Sequence, residues 1–138
     1  MTDLELIEKA KQAAEKAYVP YSGFTVGAAL LTKSGRLYLG CNIENASYSP
    51  TNCAERTAFF KAVSEGEREF VKIAIVGGSK LDFADYCTPC GVCRQVMSEF
   101  CSEDFKVILG KNGSDYKVMT LGELLPSGFS LSIRSQEE

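Results

Sequence analysis

The chain has no histidine among its 138 residues. That removes the Ser-His and Cys-His pairings that activate a hydroxyl or thiol nucleophile, and leaves carboxylates as the natural acid–base groups near neutral pH. Positive charge is not in excess either. Fifteen Lys and Arg stand against eighteen Asp and Glu, a net charge of −3, so no basic face for nucleic acid is expected. No segment reaches about 18 consecutive apolar residues, the length that marks a membrane-crossing helix, and the N-terminal stretch reads as a charged helix instead of a signal peptide. Internal repeats, low-complexity tracts and linkers are absent, and no domain boundary is visible. This length predicts a single domain over 1–138, large enough to bury a core without disulfide staples.

Cysteine, by contrast, is well represented. Six thiols without a secretory leader point to a reducing compartment, expected to be cytoplasmic, where thiols serve metals or packing. Three of them follow a pattern: Cys53-Ala54-Glu55-Arg56, then Pro89-Cys90-Gly91-Val92-Cys93. Thiolate is a good ligand for Zn²⁺, and three protein ligands with one open position is the arrangement of a catalytic zinc, whereas a structural zinc takes four. Glu55 follows the first thiol by two residues, placed to stay beside a metal and carry protons for a bound water. Cys41, Cys87 and Cys101 have no pattern of their own, and packing is the default for them. The residues alone leave other readings open. Cys90 and Cys93 could form a redox pair, Cys87 or Cys101 could complete a four-thiol structural site, and Glu55 could be a first-turn acid boxed with Asn52.

The coarse pattern alternates strands and helices. Residues 3–17 read as a helix, with Thr2 and Glu5 as a capping box and Leu4, Ile7, Ala10, Ala14 and Ala17 on its apolar face. Strands are expected at 25–32 and 36–43 around a Ser34-Gly35 turn. Residues 53–64 read as a helix entered through Thr51 or Asn52. Its Ala54, Ala58, Phe59, Phe60, Ala62 and Val63 cover more than one stripe, which predicts burial on two sides and a subunit contact. An apolar strand at 71–76 and a loop at 81–87 precede a helix with Thr88 as N-cap and Pro89 at its first position, running to about Phe100. A strand at 105–110 completes a strand–helix–strand unit and predicts a parallel pair. Lys111-Asn112-Gly113-Ser114 signals a hairpin into a strand at 116–120, and a short helix at 121–125 stops at Pro126. Arg94 reads either as a further positive group near the thiols or as a solvated helix residue.

Together with Gly40-Cys41-Asn42-Ile43-Glu44-Asn45-Ala46-Ser47-Tyr48, the two cysteine motifs resemble the small homotetrameric zinc-dependent cytidine deaminases, from about Ala17 to Phe129. The resemblance implies a three-layer α/β/α fold with a mixed five-stranded sheet and one zinc per chain on Cys53, Cys90 and Cys93. It also implies hydrolytic deamination of cytidine and 2′-deoxycytidine in pyrimidine salvage, a zinc-activated water attacking C4 while Glu55 shuttles protons. Phe24 would lie against the pyrimidine, Asn42 and Glu44 on the ribose, and Ala54 and Tyr48 around the pocket, with Phe129 lent to a neighbouring subunit. On residues alone, Phe24 also reads as a core aromatic, and Asn42 and Glu44 as a solvated strand end. Three thiolates and Zn²⁺ sum to −1, which Arg56 would offset by donating to a sulfur, aided by two converging helix N-termini. No Lys or Arg lies in the base- and ribose-reading stretches, so free nucleosides are expected as substrates, without nucleotides, polynucleotides or membrane as partners. The rival expectations are a deaminase for another aminopyrimidine nucleoside, such as a blasticidin-type antibiotic, and a zinc-stabilised binding module.

Overall fold

Strand alternation divides the central apolar residues between two faces, and a helical layer covers each. In the computed structural model, which describes residues 1–131, the order is α1 (Asp3–Ala14), β1 (Phe24–Thr32), β2 (Leu37–Cys41), α2 (Ala54–Ser64), β3 (Phe70–Ser79), α3 (Gly91–Phe100), β4 (Lys106–Gly110), β5 (Tyr116–Thr120) and α4 (Leu121–Leu124). One five-stranded sheet runs β2-β1-β3-β4-β5. Its only parallel pair is β3 with β4; the other three pairings are antiparallel. A parallel pair needs a long crossover, and α3 supplies it. The mixed sheet and three-layer architecture expected from the sequence are therefore present.

Ala28, Leu30, Ile73, Ile75, Val107 and Leu109 pack toward α2 and α3. The residues between them, Ala29, Ala74, Val76 and Ile108, pack toward α1 with Leu6, Ile7, Ala10 and Ala14. This is the period of two that a sheet buried on both faces requires. Two glycines let the helices approach. A Cβ on Gly27 would stand 1.9 Å from the Ala10 carbonyl of α1, and one on Gly40 would stand 2.3 Å from the Ala54 carbonyl of α2. The second contact seats the start of α2, which carries the thiol motif, directly on β2. Phe59 then locks α2 from the other side, its ring 5.0 Å from Phe70 and 6.2 Å from Phe105.

Several boundaries differ from the sequence reading. α1 stops at Ala14, not Ala17. Beyond it, Tyr18 pairs with the chain after β2: its N–H donates to the Asn42 carbonyl, and its carbonyl accepts from Glu44. That bridge pulls the chain off the helix axis. The buried face is Leu6, Ile7, Ala10, Ala13 and Ala14, with Leu4 exposed. Thr2 does cap α1, accepting from the Glu5 N–H at 3.1 Å, while the Glu5 carboxylate accepts from the Thr2 hydroxyl. On α2, Phe60 is half exposed, so within one chain the helix is buried on one side. No helix among the described residues is long and apolar enough to cross a membrane.

Candidate active site

The two cysteine motifs meet because each opens a helix. Cys53 is the N-cap of α2 and Cys90 the N-cap of α3, both in extended backbone and neither using its side chain to cap. This corrects the expected caps at Thr51 or Asn52 and at Thr88, and Pro89 stands before the cap, not at the first helical position. Asn52 instead donates from its amide to the Thr57 hydroxyl at 3.0 Å, so it does not box with Glu55. An N-cap residue points its side chain across the helix mouth. Here that places each sulfur at the positive end of a helix dipole.

Cys53 Sγ lies 3.7 Å from Cys90 Sγ, and Cys90 Sγ 3.5 Å from Cys93 Sγ. All three sulfurs fall within 4.8 Å of one another, and Cys93 is fully buried. Sulfurs at about 2.3 Å from a tetrahedral zinc stand about 3.8 Å apart, so the donor set fits that ion. The spacing is far above the roughly 2.05 Å of a disulfide. A two-thiol redox pair would also leave Cys53 unexplained, since it is nearly as close to Cys90 as Cys93 is. Arg56, one turn into α2, donates from Nη2 to Cys53 Sγ at 3.1 Å. Its Nε is buried without an acceptor among the described residues. The hydrogen bond between Cys53 and Cys93 splits the pair: the Cys53 thiol is lowered, with Arg56 adding to the effect, and the Cys93 thiol is raised, with burial adding to it.

Glu55 is 4 % exposed. Burial pushes its carboxyl up to about 7, the Cys53 charge raising it further while its own backbone N–H and Arg56 pull it down. A buried carboxyl with no ion pair among the described residues is costly for stability alone, and positions of this kind concentrate at functional sites. Cys87 lies close enough to feel the charges of Glu55 and Cys53, but burial chiefly pushes its thiol up to about 11. It stays neutral and outside the three-sulfur group. Cys41 and Cys101 also lie outside that group.

The other expected residues form a second region. Asn42 bridges the start of β1, accepting from the Val26 N–H at 2.9 Å and donating to the Phe24 carbonyl at 2.8 Å. Glu44 accepts from the Tyr21 N–H at 3.0 Å, from the Ser22 N–H at 3.1 Å and from the Ser22 hydroxyl. The Ser22 hydroxyl leads the causes that hold its carboxyl below the usual carboxylate range. Beside them opens a cleft of about 440 Å³ lined by Tyr21, Ser22, Glu44, Tyr48 and Thr51. Tyr48 lines it from a backbone at φ 61°, a left-handed conformation rare for an aromatic residue. Phe24 is part-exposed, its ring against the bare Cα of Gly77 together with Cys87. Ala54 is fully buried, with its carbonyl against β2 at Gly40. Phe129 is exposed on the C-terminal segment, its carbonyl accepting from Gln95 Nε2 at 3.0 Å. Sequence reasoning missed Ser22, Thr51 and Gly77, whose roles depend on partners far along the chain.

The chain matches the family model for the cytidine and deoxycytidylate deaminase zinc-binding region over residues 1–109. A cytidine deaminase of Halalkalibacterium halodurans is 57 % identical over 125 residues, covering 91 % of this chain and 92 % of that protein. The crystal structure of a cytidine deaminase from Burkholderia pseudomallei superimposes with a TM-score of 0.86 at 50 % identity, covering 94 % of this chain and 100 % of that one. A blasticidin-S deaminase of Bacillus cereus is more distant, 35 % identical over 128 residues, with 90 % and 89 % covered.

Proposed function

Because the chain belongs to the zinc-dependent cytidine deaminase family, we propose that it hydrolyses cytidine and 2′-deoxycytidine to the uridine nucleosides and ammonia. The observation that carries this is the buried Glu55 carboxyl two residues from Cys53, in a corner where three thiols converge. Cys53, Cys90 and Cys93 would hold one zinc per chain. When bound there, zinc supplies the Lewis acidity that brings a water's pKa down from its bulk value toward about 7. Glu55 would serve four proton movements: off the water, onto N3 of the pyrimidine, off the hydroxyl added at C4 as it becomes the carbonyl, and onto the departing amine. Arg56 keeps Cys53 deprotonated and offsets the sulfur charge.

Phe24 offers a flat apolar face to the base. Glu44 already accepts three hydrogen bonds, yet each carboxylate oxygen has more than one acceptor site, so a sugar hydroxyl can still donate to it. Asn42 and Tyr48 complete the sugar side, and a cleft of this volume suits a nucleoside. The cleft is lined without Lys or Arg, which favours free nucleosides over nucleotides. The half-exposed Phe60 and the exposed Phe129 support a homotetramer in which Phe129 reaches a neighbour's site. We read the chain as one catalytic domain acting in cytoplasmic pyrimidine salvage.

The test is loss of the cytidine absorbance band across a panel of cytidine, 2′-deoxycytidine, cytidine monophosphate and blasticidin S, run with sedimentation. Turnover of the first two by an assembly of about four chains is expected. Inactivity on cytidine, or equal turnover of the monophosphate, would refute the substrate reading, and a fully active monomer the assembly.

A further inference from the structure

α3 leaves the metal corner carrying two polar side chains that the reaction does not use. Arg94 is half-buried. Its Nε donates to the Pro89 carbonyl at 2.7 Å, and its Nη1 donates to the Leu124 carbonyl at 2.6 Å. The Pro89 carbonyl belongs to the peptide group that leads into Cys90. The Leu124 carbonyl is the last of α4, one of those a helix end leaves without an internal partner. One guanidinium thus ties the peptide ahead of the Cys90 thiol to a helix end 30 residues beyond Arg94 itself. Among the described residues, no carboxylate pairs with Arg94. The neighbouring Gln95 holds the Phe129 carbonyl at 3.0 Å. Adjacent side chains of one helix therefore grip both ends of the segment that follows α4.

The anchor at the far end is rigid. α4 begins with a closed capping box between Thr120 and Glu123, and its Leu121 and Leu124 are buried in the core under α2 and α3. The anchor at the near end is what needs fixing. Cys90 is an exposed N-cap residue without a side-chain cap, at the end of the irregular stretch between β3 and α3. Pro89 has no N–H with which to tether itself. Two hydrogen bonds in the planar fork of an arginine constrain direction as well as distance, which a lysine cannot reproduce.

We propose that Arg94 is a positioning residue that holds the Cys90 arm of the zinc site at ligand distance by clamping the Pro89 carbonyl to the end of α4. With Gln95, it makes the seating of the segment after α4 depend on the metal. This rests on the zinc reading given above. Linkage requires the dependence to run both ways: an ordered clamp tightens zinc, and zinc steadies the clamped segment. Partners that orient ligands from outside the ligand set typically alter metal affinity by 10- to 100-fold, and a clamp of this kind belongs in that range.

The test is zinc affinity, by competition with a chromogenic chelator, for the parent, Arg94→Met and Arg94→Lys, each checked by thermal unfolding. Cobalt(II) replacement adds the thiolate charge-transfer band as a report on sulfur geometry. Arg94→Met should weaken zinc at least tenfold and shift the cobalt band, with all three cysteines present. Arg94→Lys keeps the charge but cannot bridge two carbonyls, and it should restore less than half of that loss on a logarithmic scale. Hydrogen exchange at residues 125–131 should speed up when zinc is stripped from the parent and be independent of zinc in Arg94→Met. Zinc affinity within threefold of the parent in either variant overturns the proposal, as does full restoration by lysine, which would mean charge alone. If Arg94→Met does not fold, the lysine variant decides by the same threshold. A parent that binds no zinc removes the metal-site reading itself, an outcome distinct from a parent that binds zinc as tightly as its variants.

Discussion

The sulfur corner and the cleft beside Glu44 are built by different physics. Three sulfurs and one carboxylate at the corner sit at the mouths of two helices seated on a buried sheet. Cys93, Ala54 and Glu55 are all nearly inaccessible, and the close approach at Gly40 leaves the start of α2 little freedom. The cleft is made of irregular chain. Asn42, Glu44 and Ser22 hold it with side-chain-to-backbone hydrogen bonds, and Tyr48 lines it while 74 % exposed. A corner of this kind positions atoms for bond making, where a displacement of 1 Å costs about a hundredfold. A cleft of this kind can adjust to its ligand, because its restraints are local and solvent-accessible. Substitutions at the corner should therefore act on turnover or metal, and substitutions in the cleft on substrate affinity.

The largest effect expected is that of Glu55→Gln. The amide keeps shape and hydrogen bonding but takes no proton. Loss of one acid–base group typically costs about 10²–10⁴-fold, and this carboxyl serves several transfers. A folded, zinc-replete protein that binds cytidine and barely turns it over is expected. Activity above about a tenth of the parent, far short of that acid–base loss, would return Glu55 to the role of a helix-mouth acid.

Removal of a ligand comes next. Cys53→Ala should lose zinc and activity together, while Cys87→Ala should retain zinc, because only Cys53 shares the group with Cys90 and Cys93. Metal analysis of the two proteins separates a three-thiol site from a four-thiol one, and the reverse pattern would exchange their roles.

On the cleft side, Glu44→Gln should raise KM about tenfold, the scale of one hydrogen bond to a charged group, with kcat within about threefold. Zinc content should not change. A fall in kcat with unchanged KM would erase the division between the two regions.

The smallest effect tests the seam between them. A Cβ at Gly77 would stand 2.6 Å from Cys87 Sγ, 2.8 Å from Cys87 Cβ and 3.2 Å from Phe24 Cε2. Gly77→Ala should push both walls and lower kcat/KM several-fold, within the ~1–3 kcal/mol range of overpacking. Adding Cys87→Gly removes the two nearest atoms and should recover most of the loss. Additive effects in that double-mutant cycle would show that the two side chains do not share the space.

Much of the corner was legible because its signals are local. C-x-E and P-C-x-x-C place thiol, acid and arginine within one helical turn, where spacing dictates facing. The order of strands and helices was legible for the same reason, since a period of two or 3.6 is a short-range property. The errors in the same stretches have one cause. Cap rules look for an oxygen that can accept from the first N–H groups, so they pointed to Thr51, Asn52 and Thr88. The true cap residues are cysteines whose sulfurs turn toward one another. Likewise α1 was read too long because nothing near Ala17 shows that Tyr18 pairs with residues 42–44.

The amino-acid sequence by itself determined the secondary elements, the two buried faces of the sheet and the set of residues able to do the chemistry. Each follows from side-chain type and short-range period. Only the tertiary structure decided which of them work together. Cys53 meets Cys90 across 37 residues, Glu44 meets Ser22 across 22, and Arg94 reaches Leu124 across 30. Those separations are closed by strand register and by two glycine-sized approaches of helix to sheet. Register is a property of the paired strands and not of either strand alone. A hydrogen bond or a metal ligand is decided within a few tenths of an ångström, which only the packed chain supplies.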